Sequence, residues 1–257
     1  MVRAAVAGTL VSAGVPGARA QDARHELAPS GTLRVGAYLG SPLSMVLDPA
    51  TGEPHGLCVD LGRLLAQRLD VPFEVVGYRR IADVVEAMQS GSVDFTITNA
   101  SAARAQVLAF GPTIVSLELG FLVPTDSAIT AAADIDALGV RVGVTEGSTS
   151  QVTLAPLLKN ASVVPAPNLT VARGMLARHE LDAFATNKAI LYQMSDEIAG
   201  ARILDGRWGV EHIAAAIPKG HEGALEYLRR FVDEARASGA IAQASERAGV
   251  RGTVTEP

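Results

Sequence analysis

An imperfect internal repeat constrains this chain more than any other feature. Leu33-Arg34-Val35-Gly36-Ala37-Tyr38-Leu39-Gly40 returns as Val140-Arg141-Val142-Gly143-Val144-Thr145-Glu146-Gly147. After each copy come a helical pattern, a short apolar strand, a second helix and a strand opened by Asp. Those last strands read Val93-Asp94-Phe95-Thr96-Ile97-Thr98 and Leu181-Asp182-Ala183-Phe184-Ala185-Thr186. Buried parallel strands are Val/Ile/Leu-rich wherever they occur, so a general similarity between βαβ units is the simpler reading. Read as a duplication, the pattern predicts two lobes, and small molecules bind in clefts between domains.

The N-terminus fits export. Met1-Val2-Arg3 is a short cationic start, residues 4–15 are small and apolar, and Ala18-Arg19-Ala20 is a small-residue cleavage site before Gln21. Residues 1–20 thus read as a secretory signal peptide, against the alternative of a ragged terminus. Cleavage would remove Arg3 and Arg19 from the 22 basic residues, leaving 20 against 27 acidic ones, a net charge of −7. That balance argues against nucleic acid and anionic membrane surfaces as partners. No later segment approaches the ~20 apolar residues of a membrane span, so no stable membrane insertion is expected. The single cysteine, Cys58, permits no internal disulfide. It is not at the cleavage site, so it offers no lipid attachment there, and the expected location is the free periplasm. Cys58 reads as a small buried hydrophobe, with a nucleophile as the remote alternative.

Along the chain, strand and helix alternate, which predicts parallel sheets with crossover helices. Residues 21–30 read as a frayed polar lead-in, 32–37 as a buried strand and 40–55 as loop. Asp60 is placed to cap a helix with the apolar face Leu61, Leu64, Leu65 and Leu69. Residues 73–76 read as a strand. Ile81, Val84, Val85 and Met88 form a second helical face, which Gly91 ends. Two apolar runs, 114–124 and 212–218, bracket the second unit and read as crossing strands. A last helix carrying Leu225, Leu228, Phe231, Val232 and Ala235 would pack back on the first lobe. The expected division is a discontinuous lobe 1 (31–121 and 214–250) with lobe 2 (122–213) inserted, and the two crossings form a hinge suited to closure.

At this point the chain resembles the family 3 periplasmic solute-binding proteins of ABC importers, the amino-acid-binding type. The resemblance runs from about residue 31 to 249. It is carried by Gly31-Thr32-Leu33-Arg34-Val35-Gly36, Gly56-Leu57-Cys58-Val59-Asp60-Leu61 and Ala87-Met88-Gln89-Ser90-Gly91-Ser92-Val93-Asp94. Ala103-Arg104-Ala105-Gln106-Val107-Leu108-Ala109-Phe110 and the passage from Val142 to Thr149 complete it. It implies a type II clamshell of the periplasmic-binding-protein kind, α/β, each lobe a mostly parallel sheet flanked by helices. It also implies a function without a cofactor: a monomer binds a small solute, closes, and presents it to a membrane permease.

The resemblance implies site residues as well. An Arg after the first lobe's Asp-strand clamps the ligand carboxylate, and here that is Arg104; a planar guanidinium suits a bidentate carboxylate. Asn99, Ala100 and Ser101 share its loop. Gly147, Ser148 and Thr149 open the first helix of lobe 2, where free N–H groups and the helix dipole favour an anion; simple capping by Ser148 is the blander reading. Two departures stand out. The family's Pro-aromatic pair is here Pro42-Leu43, with Tyr38 and Tyr78 as candidate substitutes. The family's Asp five residues after the strand-opening Asp pairs with the ligand α-ammonium, and here that position is Asn187. Charge-assisted hydrogen bonds contribute roughly 1.5–3 kcal/mol against about 1 for neutral ones. The expectation is therefore a small anionic ligand, amino-acid-like or an organic acid, without a standard α-ammonium. Glu146 is the candidate that would restore the missing acid, and Arg79 and Arg80 are candidates for a doubly anionic ligand. The five His residues show no metal-ligand spacing, and Trp208 reads as hinge packing. The rival function is a periplasmic dehydratase-like enzyme on the same fold acting on a small carboxylic acid, because fold does not fix function. From sequence, Glu146 was the acid or base that fitted such a catalyst.

Overall fold

The computed structural model describes residues 16–254, with side chains from residue 21 onward. In chain order the elements are α1 (Pro16–Leu27), β1 (Leu33–Tyr38), β2 (Val46–Leu47), β3 (Pro54–His55), α2 (Leu57–Leu69), β4 (Phe73–Tyr78), α3 (Ile81–Gln89), β5 (Thr96–Asn99) and β6 (Leu108–Val123). There follow β7 (Arg141–Thr145), α4 (Thr149–Leu157), β8 (Ser162–Ala166), α5 (Leu169–Ala177), β9 (Ala183–Asn187) and α6 (Lys188–Glu197). The chain ends with β10 (Arg202–Ile203), β11 (Gly209–Pro218), α7 (Leu225–Ala237), α8 (Ala240–Arg247) and β12 (Thr253–Val254).

The repeat is visible atom by atom. β1 pairs in parallel with β4, and a parallel bridge from Val35 to Phe95 ties it to the strand opened by Asp94. β7 likewise pairs in parallel with β8 and β9. In the first unit the Asp94 carboxylate accepts from the Arg34 backbone N–H (2.9 Å), Nε (2.9 Å) and Nη2 (2.6 Å), while Nη2 also donates to the Gly91 carbonyl (2.8 Å). In the second, Asp182 accepts from the Arg141 N–H (2.8 Å), Nε (2.9 Å) and Nη2 (3.0 Å), and Nη2 donates to the His179 carbonyl (2.6 Å). Each carbonyl acceptor lies three residues before its Asp, at a left-handed residue (Gly91 φ 68°, His179 φ 54°). A side chain at Gly36 would collide with Val93, and one at Gly143 with Leu181, the residue before the Asp in each unit. General similarity between βαβ units does not produce a matched set of four hydrogen bonds and a matched close approach.

β6 is 16 residues long, on the order of 50 Å at ~3.3 Å per residue. It pairs with β11 over its first three-quarters and, toward its end, with β9 and β10. The sheet order β5-β11-β6-β9-β7-β8 therefore runs from the first unit into the second. The apolar run predicts this crossing strand only from residue 114, downstream of Gly111-Pro112. The strand starts at Leu108 and accommodates the pair in a register shift: Phe110 opposes Ala216 and Thr113 opposes Ala214, leaving two residues facing Ala215. A proline without an N–H donor is tolerated at such a bulge. β11 likewise begins at Gly209, three residues before the expected start.

One core gathers Leu33, Val35, Leu61, Leu65, Phe95 and, from the C-terminal helices, Leu228, Phe231 and Ile241. α7 and α8 thus return to the first unit. A second set of clusters, around Leu181, Phe184 and Leu191 and around Val142, Val144 and Leu154, fills the other unit. Cys58 is fully buried, and burial pushes its thiol pKa up to about 12, as a structural hydrophobe requires. Trp208 packs at the crossing, with its ring tilted against Phe121 and Nε1 donating to the Gly120 carbonyl (3.0 Å).

Three local expectations are corrected. The lead-in is helical: α1 buries Ala23 and Leu27, and Glu26 Oε2 accepts from the Ala224 N–H (2.8 Å). Residues 1–15 of the expected signal peptide lie outside the described residues, and a cut after Ala20 would fall inside α1. α2 starts at Leu57, not at an Asp60 cap, because the Pro42 and Leu43 carbonyls accept its first N–H groups (3.0 and 3.1 Å). Gly56 is needed at that start: φ is 140°, and a Cβ would lie 2.6 Å from the Ser44 carbonyl oxygen. Within 40–55, β2 and β3 form a short hairpin. Among the described residues, no helix is long and apolar enough to cross a membrane.

Candidate functional site

The carboxyl ends of β1, β5, β7 and β9 and the middle of β11 surround a cavity of about 70 Å³. A single water needs roughly 10–15 Å³ on this scale, so the space suits a small molecule. Asn99, the last residue of β5, donates from Nδ2 to Thr149 Oγ1 at the start of α4 (3.1 Å). That bond joins the two units across the cavity.

Arg104 begins a short 3-10 turn, Arg104–Gln106, whose first N–H is capped by Ser101 Oγ (3.3 Å). Its guanidinium lines the cavity and donates from Nη1 to Thr98 Oγ1 (2.5 Å). Among the described residues it forms no ion pair within 4.0 Å. Burial lowers its pKa, a shift that the Glu211 charge opposes. Of five N–H donors, most remain for a ligand.

Across the cavity, Ser148 caps α4 by accepting from the Gln151 N–H (3.2 Å). The N–H groups of Thr149 and Ser150 have no acceptor among the described residues. Ser148, Thr149 and Ser150 all line the cavity. Capping by Ser148 thus leaves free N–H groups at the helix start beside the cavity.

Asn187 ends β9 and is buried. Its Oδ1 accepts from the Ile190 N–H (3.1 Å) and caps α6, while Nδ2 donates to Glu211 Oε1 (2.7 Å). The sheet explains this meeting. Asn187 opposes Leu119 on one side of β6, and Glu211 opposes Leu117 on the other. Both point to the same face and bridge two strand spacings, about 10 Å. Glu211 is only 6 % exposed. Burial pushes its pKa up to about 7, while the Asn187 hydrogen bond and the Arg104 charge act in the opposite direction.

Of the residues expected from sequence, Tyr38, Leu43, Asn99, Arg104, Ser148, Thr149 and Asn187 line this cavity. Burial raises the Tyr38 phenol pKa to about 12, so it is neutral. The others do not reach the cavity. Ala100 spends its N–H on the His212 carbonyl (2.8 Å), and Ser101 serves the turn. Gly147 is exposed, with its N–H donated to Gln151 Oε1 (2.8 Å). Tyr78 pairs with Tyr38 in the β1–β4 register but packs into neighbouring apolar clusters. Glu146 is exposed and outside the lining, so it does not replace the missing acid. Arg80 is bound to Asp83 (2.5 Å), and Arg79 faces a separate groove of about 490 Å³ beside Leu47 and Arg173. Sequence reading missed Thr98, Thr145, Thr186 and above all Glu211. The signal for Glu211 was an acid in a run of strand-forming residues, Val210-Glu211-His212-Ile213, one position before the predicted start of the return strand.

The profile of the bacterial extracellular solute-binding proteins, family 3, matches residues 33–249. The ABC transporter glutamine-binding protein GlnH of Bacillus subtilis (strain 168) is 21% identical over 196 residues, covering 75% of this chain and 71% of that protein. A mutant of ArgBP from T. maritima superposes with a TM-score of 0.79 at 22% identity, covering 88% of this chain and 99% of the other. The ancestral amino acid-binding protein AncCDT-1, described as a precursor of cyclohexadienyl dehydratase, gives 0.77 at 23% identity, with 87% and 98% covered. At these identities the superpositions establish a shared fold.

Proposed function

The chain belongs to the bacterial extracellular solute-binding proteins of family 3, and from that premise we propose that it is the periplasmic ligand-binding component of an ABC uptake transporter. Its ligand is a small carboxylate, amino-acid-like or an organic acid, held in the cavity between the units and passed to a membrane permease. One observation carries this reading: the cavity-facing guanidinium of Arg104 has a hydroxyl partner and no ion pair among the described residues. A ligand carboxylate would complete it, with the unpartnered N–H groups of Thr149 and Ser150 on the opposite wall. Lobe 1 is taken as 31–121 with 214–250, and lobe 2 as 122–213, moving about β6 and β11 as a monomer. Removal of residues 1–20 on export belongs to the same proposal.

A thermal-shift screen over small carboxylates tests it. Ligand at ~100 Kd adds about 2.7 kcal/mol, a rise of roughly 5–10 °C for a chain of this size. A screen in which no carboxylate moves the transition sinks the reading. The enzymatic alternative also has an observation in its favour, because Glu211 is an acid beside the proposed clamp. It makes a separate demand: prolonged incubation of the protein with its best ligand should return altered product. We expect the ligand to be recovered chemically unchanged, by mass spectrometry of the filtrate.

A further inference from the structure

We propose that Glu211 is the specificity-determining acid of the cavity: as a carboxylate it accepts from a cationic nitrogen of the ligand, selecting zwitterions over ligands with a carboxylate alone, and their binding expels its proton. This rests on Arg104 holding the ligand carboxylate. It replaces the expectation, drawn from Asn187, that a standard α-ammonium goes unrecognised.

The geometry carries the argument. Glu211 and Arg104 line one small cavity, yet form no ion pair within 4.0 Å. Two opposite charges thus line the same cavity without closing on each other, and both stay available to a dipolar ligand. Glu211 Oε1 accepts from Asn187, and Oε2 has no hydrogen-bond partner among the described residues. A carboxylate offers about four acceptor positions, so capacity remains on a residue that lines the cavity. Asn187 fits this arrangement as an Asp would not, because its amide donates to Glu211 where a second carboxylate would repel it.

Among the described residues, no other acid lines the cavity. From β1 comes neutral Tyr38, from β5 Thr98 and Asn99, from the 3-10 turn Arg104, from α4 Ser148 and Thr149, and from β9 Thr186 and Asn187. Leu117 of β6 opposes Glu211. Glu118, with Lys188 and Arg207 paired to it, opposes Val210 and so lies on the other sheet face. His212 alternates to that other face too, with Nδ1 near Ser116 Oγ (3.1 Å). Because burial raises its pKa to about 7, Glu211 holds its proton at mildly acidic pH and gives it up to the cavity solvent when an ammonium arrives.

The test is calorimetry on the full chain with the common L-amino acids, each beside its N-acetyl derivative. Buffers of differing ionisation enthalpy report the proton balance. We expect a free amino acid to bind, its N-acetyl partner to bind about tenfold or more weakly, and protons to be released below neutral pH. Affinity should fall about tenfold per pH unit below the Glu211 midpoint. Glu211→Gln should lose about tenfold in affinity together with that pH dependence, and the neutral isostere should fold, since it removes a buried charge. The proposal is overturned if N-acetyl acids bind as tightly as free ones, if Glu211→Gln keeps wild-type affinity, or if wild type releases no proton. N-acetyl acids binding alone, and losing affinity in Arg104→Ala, would overturn Glu211's role but spare the carboxylate clamp. If neither set binds, the clamp falls as well.

Discussion

Replacing Arg104 with Ala should cost roughly 30- to 4,000-fold in affinity for the carboxylate ligand, because losing one partner of a desolvated charge pair costs about 2–5 kcal/mol. The unliganded protein should barely change in stability. Arg104 gives up one hydroxyl contact, to Thr98, and no ion pair among the described residues. Burial works against its charge and outweighs the opposing effect of the Glu211 charge, so a ligand carboxylate would stabilise the cation further. Arg104→Lys should recover little, since an ammonium cannot reproduce a two-pronged contact. Titration calorimetry with the best ligand from the carboxylate screen, beside thermal melts without ligand, separates the two effects. Equal affinity in Arg104→Ala would remove the basis of the proposed function.

The second large effect concerns folding, and the repeat supplies its own control. Asp94→Ala should destabilise the protein by about 3–5 kcal/mol, the usual cost of breaking a buried ion pair, and lower the melting temperature by roughly 10 °C. It strips the Arg34 backbone N–H, Nε and Nη2 of their acceptor, at a carboxylate only 4 % exposed. Asp182→Ala removes the same set of bonds from Arg141, but that carboxylate is 34 % exposed and water can take over. About 1–2 kcal/mol is expected there. Chemical denaturation of the two variants decides it, and a larger loss in Asp182→Ala would contradict the assigned burial.

Much of the fold was legible because the repeat sets short-range rules. The Asp-opened strands, the glycines at 36 and 143 and the flanking helical faces all act within one unit, where spacing is informative. The crossing strands were legible too, as apolar runs, but their lengths were not: β6 reaches back through Gly111-Pro112 to Leu108 because a bulge against β11 accommodates the pair. α2 begins where carbonyls from a loop fifteen residues earlier accept its N–H groups, and no pattern inside the helix reports that. Family spacing pointed to Arg104, Asn99, Ser148 and Asn187, which line the cavity. Glu211 was not, because its role depends on sharing a sheet face with Asn187 across β6, a relation of register and not of sequence. Reading Asn187 alone therefore made the cavity look short of an acid that another strand provides.

The matched Arg–Asp bonds have one more consequence. Asp94 and Asp182 each stand five positions before an asparagine, Asn99 and Asn187, that ends its strand at the cavity. Five steps of an extended chain are about 16 Å. Each strand thus has a structural root at one end and a cavity-lining tip at the other, with apolar packing between. Selection, or an engineer, could recast residues 98–99 and 186–187 as exchangeable cassettes while both roots stay fixed, and the two tips could diverge independently within a single chain.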